Sequence, residues 1–156
     1  EQLNYAEKLS EIRLLFKVWM KRSITPLGRV AVLKSLILSK LIHLWILLPD
    51  PPDDFIDNLQ RMCFSFVWKG KNDKINRKTA VKTVKQGGLN IPDIRKYIQS
   101  LKLTWFRKFK NTQHQWKNVC SDVHPFMCDL EKYGPNYAVE VRSPNAFWRH
   151  VFKAYI

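Results

Sequence analysis

Apolar residues recur at spacings of three and four along most of the first 110 positions, and this spacing predicts amphipathic helices. The pattern places four helices at about residues 4–22, 26–48, 55–68 and 92–110. The second helix must end at Pro49-Asp-Pro-Pro52, because proline lacks the amide hydrogen that a helix interior needs. Helices joined by such short connections predict a mainly α fold, built as a compact helical bundle.

The helical spacing is lost in a basic insert at residues 69–92. Two short apolar runs lie there on either side of Gly87-Gly88. A glycine pair between two such runs is typical of a tight turn that joins strands, so we expect a small β-hairpin. The residues expected in its two strands are Val81, Val84, Leu89 and Ile91.

The last part of the chain, residues 111–156, has a less regular pattern. A final helix is expected to begin near Ser143-Pro144 and to bury an aromatic side. The residues on that side are Phe147, Trp148, Val151 and Phe152. The predicted organisation is therefore a helical domain at 1–110, which includes the insert, and a C-terminal helical appendage at 111–156.

One lysine of the second helix occupies a position where an apolar residue is expected. At 100° per residue, Lys34 falls in the middle of an otherwise apolar face. The residues that define this face are Leu27, Val30, Leu38, Leu41 and Trp45. The ammonium group either reaches past its apolar neighbours to solvent or is held for an anionic ligand, and the sequence leaves both interpretations open.

The start of the second helix carries a candidate anion site. Thr25 can cap the helix, and Pro26 suits its first turn. Arg22 lies just before the cap and Arg29 about one turn into the helix. A helix N-terminus presents unpaired N–H groups and a partial positive charge, so two flanking guanidinium groups predict a phosphate site, with plain surface charge as the alternative.

The net charge of +14 is concentrated in one part of the chain. Residues 69–117 contain fourteen Lys and Arg against two Asp, a net charge of +12, so the rest contributes only +2. A block of one sign is typical of a protein that binds a polyanion. We expect nucleic acid and no membrane, because the most apolar stretch, 36–48, is short and is interrupted by Lys40 and His43.

Two groups of basic residues are candidate phosphate ligands within this block. The group in the turn-rich loop comprises Lys69, Lys71, Lys74, Arg77 and Lys78. The group expected on the outward face of the fourth helix comprises Arg95, Lys102, Arg107 and Lys110. Lys96, Leu103 and Phe106 are expected on the same face. Such contacts hold a duplex without reading its sequence, and a merely solvated charged surface is the alternative.

Candidate catalytic and metal-binding residues are few. Nucleotidyl-transfer chemistry needs carboxylates that hold divalent ions, and the adjacent pair Asp53-Asp54 is better explained as a helix cap. We therefore expect no catalysis by this chain alone, and no cofactor or metal. The potential zinc ligands His114, Cys120, His124 and Cys128 lack the paired short spacings of zinc modules. Three cysteines make no disulfide framework, which indicates an intracellular setting.

A series of short motifs runs from residue 19 to residue 105. In chain order they are Trp19-Met-Lys-Arg22, Thr25-Pro-Leu-Gly-Arg29, Lys34-Ser-Leu36, Leu38-Ser-Lys-Leu41, Leu48-Pro-Asp-Pro-Pro52, Phe66-Val-Trp68-Lys-Gly-Lys71, Lys74-Ile75, Gly87-Gly88-Leu89-Asn-Ile-Pro-Asp93 and Ser100-Leu-Lys102-Leu-Thr-Trp105. The ordered series resembles the segment after the catalytic palm in reverse transcriptases of LINE-type (non-LTR) retrotransposons. The resemblance covers residues 1–110 well and the remainder weakly.

The resemblance implies a thumb, whose helices pack against the template–primer duplex, followed by the start of a C-terminal linker. It implies RNA-directed DNA synthesis by a parent protein whose palm holds Mg²⁺ upstream, since the Tyr-x-Asp-Asp signature is missing here. The implied partners are an RNA/DNA template–primer duplex and the palm and fingers of the same polypeptide, in a ribonucleoprotein of nucleus and cytoplasm. The motif residues carried over are Arg22, Thr25, Gly28, Arg29 and Lys34.

Two other functions fit the same sequence. One is a stand-alone or domesticated basic nucleic-acid-binding protein without a polymerase. The other is a scaffold in which Leu103 and Phe106 dock onto a protein partner. The first residue, Glu1, is not methionine, which favours a fragment of a longer polypeptide.

Overall fold

The structure is a computed structural model that describes residues 2–111, 124–134, 137 and 145–155. Helices form the regular structure of these residues, as the sequence predicts. In chain order they are α1 (Gln2–Met20), α2 (Pro26–Leu47), α3 (Asp53–Val67), α4 (Arg77–Val81), a single 3-10 turn (Val84–Gln86), α5 (Ile94–Asn111), α6 (His124–Tyr133) and α7 (Ala146–Lys153).

The chain divides into two compact units. The first contains the described residues of Glu1–His43 and Pro51–Arg95. The second contains the described residues of Leu44–Asp50 and Lys96–Ile156. The domain boundary expected near residue 110 stays a prediction.

The core of the first unit is formed by one side each of α1, α2 and α3. Aromatic rings link α1 to α3 at two places, because Tyr5 lies 5.2 Å from Phe55 and Phe16 lies 5.2 Å from Phe66, measured between ring centroids. The fully buried residues of this core include Ile12, Leu33, Ile37, Leu41, Leu59 and Cys63. Burial of these side chains is the main favourable term for this bundle.

A π-helical stretch in the middle of α2 changes which residues face the core. Residues Leu33–Leu38 form it, and the helix is α-helical on both sides. Side chains four residues apart are separated by slightly more than one full turn in an α-helix, which has about 3.6 residues per turn, and by slightly less than one full turn in the wider π-helix. The two angular deviations have opposite signs, so residues at this spacing remain on one side of α2. The positions Leu33, Ile37, Leu41 and Trp45 therefore all stay buried.

This geometry corrects the expected face of α2. The α-helical wheel placed Lys34 in the middle of the buried side, whereas the side chain is exposed. Leu27 was expected on the same side and is 51% exposed. The buried column passes through Leu33 instead, one residue before Lys34, because the π turn rotates the second half of the helix.

The β-hairpin expected at 69–92 is not formed, and these residues contain no strand. Asn76 caps α4 by accepting the amide hydrogen of Lys78 at 2.9 Å, and a 3-10 turn follows. The chain then returns beside α4, where the carbonyl of Ala80 accepts from both Leu89 and Ile91. Backbone hydrogen bonds thus connect the two apolar runs of the insert, as they would in a hairpin. The first run, however, is helical and not a strand.

The tight turn at Gly87-Gly88 is present. Gly87 ends the 3-10 turn with φ +78°, a left-handed conformation that favours glycine. Gly88 is needed for a different reason, since a Cβ there would lie 2.0 Å from the carbonyl oxygen of Lys82. This close approach allows the chain to fold back onto α4.

The core of the second unit is an aromatic cluster around α7. Trp148 stacks edge-on against Trp105 at 6.5 Å and against Phe109 at 6.2 Å, measured between centroids. The other buried members are Leu130, Val151 and Phe152. The sequence predicted α7, although it begins after Asn145, whose side chain caps it. It did not predict α6, which lies in the stretch expected to be irregular.

By length and composition α2 could cross a membrane, since it has 22 residues and a mean hydropathy of 1.8 over its most apolar window. A core helix of a folded domain has the same properties. The side of α2 that contains Leu33, Ile37 and Leu41 is buried against protein. Its exposed side mixes Leu27 and Leu36 with charged residues.

Candidate nucleic-acid interface

Arg29 is buried, and its guanidinium group bonds to backbone carbonyls. Nη2 donates to the carbonyl of Arg22 at 2.9 Å, and Nη1 donates to the carbonyl of Phe66 at 3.0 Å. Longer bonds reach the carbonyls of Ile24 at 3.3 Å and Met20 at 3.5 Å. The side chain is 2% exposed and lies over the Phe66 ring.

The ends of two helices explain why a buried cation is stable at this point. Met20 is the last residue of α1, and Phe66 lies in the last turn of α3. Both helices direct C-terminal carbonyls at the guanidinium, and a helix C-terminus carries a partial negative charge. Within the described residues Arg29 forms no ion pair, so these carbonyls provide its compensation.

The structure therefore corrects the role expected for Arg29. The sequence predicted it as a phosphate ligand near the start of the second helix, whereas it is a fully bonded internal residue. The sequence does contain a signal of this burial, which is a series of buried positions at every fourth residue. Arg29 precedes Leu33, Ile37, Leu41 and Trp45 at that spacing, in the column that the π turn keeps buried.

The predicted cap of α2 is present. Gly28 donates its amide hydrogen to Oγ1 of Thr25 at 3.2 Å, and Pro26 occupies the first turn. Gly28 also fits closely against the preceding loop, since a Cβ would lie 2.5 Å from Cγ2 of Ile24. Both residues help to hold the loop whose carbonyls Arg29 binds.

Lys102 is a second candidate that lies inside the protein. Its side chain is 0% exposed, and Nζ donates a hydrogen bond to the carbonyl of Leu48. It also lies 4.4 Å from the ring centroid of Phe147 and 3.8 Å from Oδ1 of Asp50. Burial lowers the pKa of Lys102 to about 8, although Asp50 opposes this change. The expected place on an outward helix face is wrong, because α7 covers this part of α5.

Phe106 is also not on a free outward face. Its ring lies 4.7 Å from that of Tyr155, and it packs against the aromatic cluster of the second unit. Leu103 is partly buried as well. These positions weaken the scaffold alternative, which required both residues to be available to a partner.

The insert after α3 places its lysines in solvent. We call the following six exposed residues the lysine segment: Lys69, Lys71, Lys74, Lys78, Lys82 and Lys85. Among the described residues, none of the six forms an ion pair with a carboxylate. The one basic residue of this stretch that does so is Arg77, which pairs with Asp73 at 2.7 Å and lies over the Phe64 ring.

The remaining candidates differ in their exposure and in the groups around them. Arg22 is exposed, with its guanidinium 4.8 Å from the ring centroid of Trp19. Lys34 is exposed, and partial burial lowers its pKa. Arg95 bonds to Asp53 at 2.6 Å and lies 3.7 Å from Asp57, so it is largely neutralised, and Asp53 raises its pKa. In the second unit the exposed candidates of α5 are Arg107 and Lys110.

The described residues offer no constellation for metal-assisted chemistry. They contain no group of three or more His, Cys, Asp or Glu side chains that could hold an ion. The expected capping role of Asp53-Asp54 is wrong in detail, because Pro52 is the cap and both carboxylates lie in the first turn of α3. Their negative charges still interact favourably there with the partial positive charge at the N-terminus of α3.

No protein-family model matches this chain, and no solved structure matches it.

Proposed function

We propose that this chain binds a nucleic-acid duplex through its phosphates, as the thumb segment of a LINE-type reverse transcriptase. The observation that carries the proposal is the lysine segment. Six exposed ammonium groups within seventeen residues lack carboxylate partners in the described part of the chain. Like charges placed so closely repel one another, and a polyanion relieves that repulsion.

The chemistry of these groups suits the phosphate backbone better than the base edges. An ammonium group is a compact charge on a flexible stem, which tolerates varied geometry. Phosphate contacts give affinity and position but carry no sequence information. A polymerase must hold any template and primer, so contacts without sequence preference suit its thumb.

The set of proposed ligands is narrower than the sequence predicted. Arg29 and Lys102 are excluded because they are buried, and Arg77 and Arg95 are weakened by their ion pairs. The ligands that we propose for the first unit are Arg22, Lys34 and the lysine segment, in which Lys82 and Lys85 are added to the residues that the sequence predicted. Arg107 and Lys110 are proposed for the second unit.

The assignment to a polymerase rests on the ordered motifs of residues 19–105. Under it the partners are an RNA/DNA template–primer duplex and the palm and fingers of the same polypeptide, which supply the carboxylates and Mg²⁺. Such a protein acts in a ribonucleoprotein of nucleus and cytoplasm. The chain itself contributes binding and no chemical step.

A salt titration with a matched pair of variants tests this proposal. The test variant is Lys71→Gln with Lys74→Gln, and the control is Lys132→Gln with Lys153→Gln, which removes two exposed lysines from the second unit. Binding of a mixed-sequence RNA–DNA duplex is measured by fluorescence anisotropy between about 50 and 200 mM salt. Affinity falls as salt rises, and we call the magnitude of the slope of log K against log salt the salt slope. Each lost phosphate contact lowers this magnitude by about one.

We expect the test variant to bind all sequences more weakly and to lose about two units of slope. The control should behave as the wild type. A thumb should also bind a duplex more tightly than a single strand of the same length. Equal salt slopes for the test variant and the wild type would contradict the proposal.

A further inference from the structure

We infer that Arg22 and Lys69 belong to one composite phosphate-binding edge, and that the buried Arg29 is the positioning residue that holds its two halves together. This inference rests on the proposed function. It adds that two segments far apart in the chain form a single site. It also gives Arg29 a role that differs from that of a ligand.

A continuous chain of hydrogen bonds joins the two segments. The carbonyl of Arg22 accepts from Nη2 of Arg29 at 2.9 Å, and the carbonyl of Phe66 accepts from Nη1 at 3.0 Å. The same Phe66 carbonyl accepts the amide hydrogen of Lys69 at 3.2 Å. One guanidinium thus ties the backbone of the segment after α1 to that of the segment after α3.

Local structure fixes the backbone of each ligand. Lys69 has φ +56°, a left-handed conformation that is uncommon outside glycine. It is held there by Gly70, whose amide hydrogen bonds to the carbonyl of Ser65 at 2.8 Å. Together with the bond from Lys69 to Phe66, this closes the C-terminus of α3 in a common left-handed helix cap, which fixes the backbone from which the Lys69 side chain extends.

The exposed ends of the same segments carry the charges. Lys21 and Arg22 follow α1, and Lys69 and Lys71 follow α3. All four side chains are exposed, and within the described residues none forms an ion pair with a carboxylate. Mutual repulsion would separate the two basic segments, and the Arg29 bridge opposes it. Such an edge would present its positive charges to the backbone of one nucleic acid.

Only arginine can form this bridge. Its planar fork presents several N–H groups at fixed angles, so it reaches the carbonyls of Arg22 and Phe66 together. A lysine has the same charge but one nitrogen. Lysine in place of Arg29 would therefore keep the charge and break the link.

This difference gives the test. Duplex binding and its salt slope are measured for Arg29→Lys and Arg29→Gln, below the melting temperature of each variant and with helical content checked by circular dichroism. If Arg29 only positions the ligands, both variants bind about tenfold more weakly and the slope falls by about one. If Arg29 were itself a phosphate ligand, Arg29→Lys would keep wild-type affinity and slope, and this result would overturn the inference.

Two further variants keep the test meaningful if Arg29 variants unfold. Gly28→Ala removes no charge but presses on Ile24, whose carbonyl bonds to Nε of Arg29, and should weaken binding. Ile37→Val reduces core burial away from the edge and should leave affinity unchanged. Wild-type affinity in Gly28→Ala would overturn the inference.

Different results would contradict the proposed function and this inference. Arg22→Gln, Lys69→Gln and the double variant Lys71→Gln with Lys74→Gln report on the ligands themselves. If these weaken binding while a folded Arg29→Lys does not, the function stands and the positioning role is wrong. If none of them changes binding, both are wrong.

Discussion

The ammonium nitrogen of Lys102 lies 3.8 Å from Oδ1 of Asp50, inside the second unit. The lysine side chain is fully buried, and this carboxylate oxygen is also buried and forms no hydrogen bond within the described residues. Removing an ammonium group from water costs more than the carboxylate returns at this distance, so burial dominates and lowers the pKa of Lys102 to about 8. The pair is therefore a source of pH-dependent stability.

We expect the stability of the wild type to rise relative to Lys102→Met between about pH 8 and pH 10.5. The pKa of the lysine is lower in the folded state than in the unfolded state, so the unfolded state binds more protons in this window. The folded state thus gains stability as pH rises, by about 3 kcal/mol in total. Urea unfolding of both proteins at several pH values measures this difference.

Lys108→Met is the matched control, because Lys108 is an exposed lysine of the same helix. Its unfolding free energy should differ from the wild type by a constant amount across the window. Parallel pH curves for Lys102→Met and the wild type would contradict the buried-charge account.

His150 makes the stability of the fold depend on pH in the acidic range. Its Nδ1 accepts the amide hydrogen of Asp50 at 2.7 Å, so this nitrogen must be unprotonated. Burial lowers the pKa of His150, with Asp50 opposing the change. Stability from the neutral ring is present above the unfolded pKa of about 6.5 and is lost as pH falls.

We expect the wild type to lose more stability than His150→Gln between pH 7.5 and pH 5, as measured by urea unfolding. His43→Gln, on the exposed side of α2, serves as the control and should follow the wild type. The account is wrong if His150→Gln loses as much stability on acidification as the wild type.

The two adjacent glycines of the insert predict different costs. Gly88→Ala would place a Cβ 2.0 Å from the Lys82 carbonyl, and backbone cannot move aside cheaply, so we expect a loss of about 2–4 kcal/mol. Gly87→Ala meets no atom within 4 Å but keeps φ +78°, which costs about 1 kcal/mol. Thermal unfolding of the two variants compares them. An equal or smaller loss for Gly88→Ala would contradict this geometry.

Lys34 and Lys40 lie on the same helix and differ in their partners. Lys40 pairs with Glu11 at 2.7 Å, whereas Lys34 forms no ion pair in the described part of the chain. We expect Lys34→Gln to weaken duplex binding and lower the salt slope by about one, with stability changed by less than about 0.5 kcal/mol. Lys40→Gln should leave the slope intact. An unchanged slope for Lys34→Gln would remove it from the set of ligands.

Much of the helical architecture was accessible from local patterns. The three-to-four spacing, the Thr25 cap and the proline stop at Pro49 depend on neighbours in the chain, so α1, α2, α3 and α5 were predicted to within a few residues. The excess charge at residues 69–117 is likewise a property of the sequence alone. The predicted hairpin is wrong because Asn76 caps a short helix that takes up the start of the first run, and the glycine turn alone does not make that run a strand.

Tertiary structure decided which basic residues lie inside. Arg29 and Lys102 look like surface residues by charge, and only the carbonyls at the ends of α1 and α3, or the rings and carboxylate around Lys102, make their burial possible. A helical wheel assumes a constant angle per residue, so it cannot represent the π turn in α2. This turn nevertheless determines that Lys34 is exposed. Sequence determines the charges and the periodicity, because these are local. Packing determines which charges meet solvent, because compensation for a buried cation comes from groups distant in the chain.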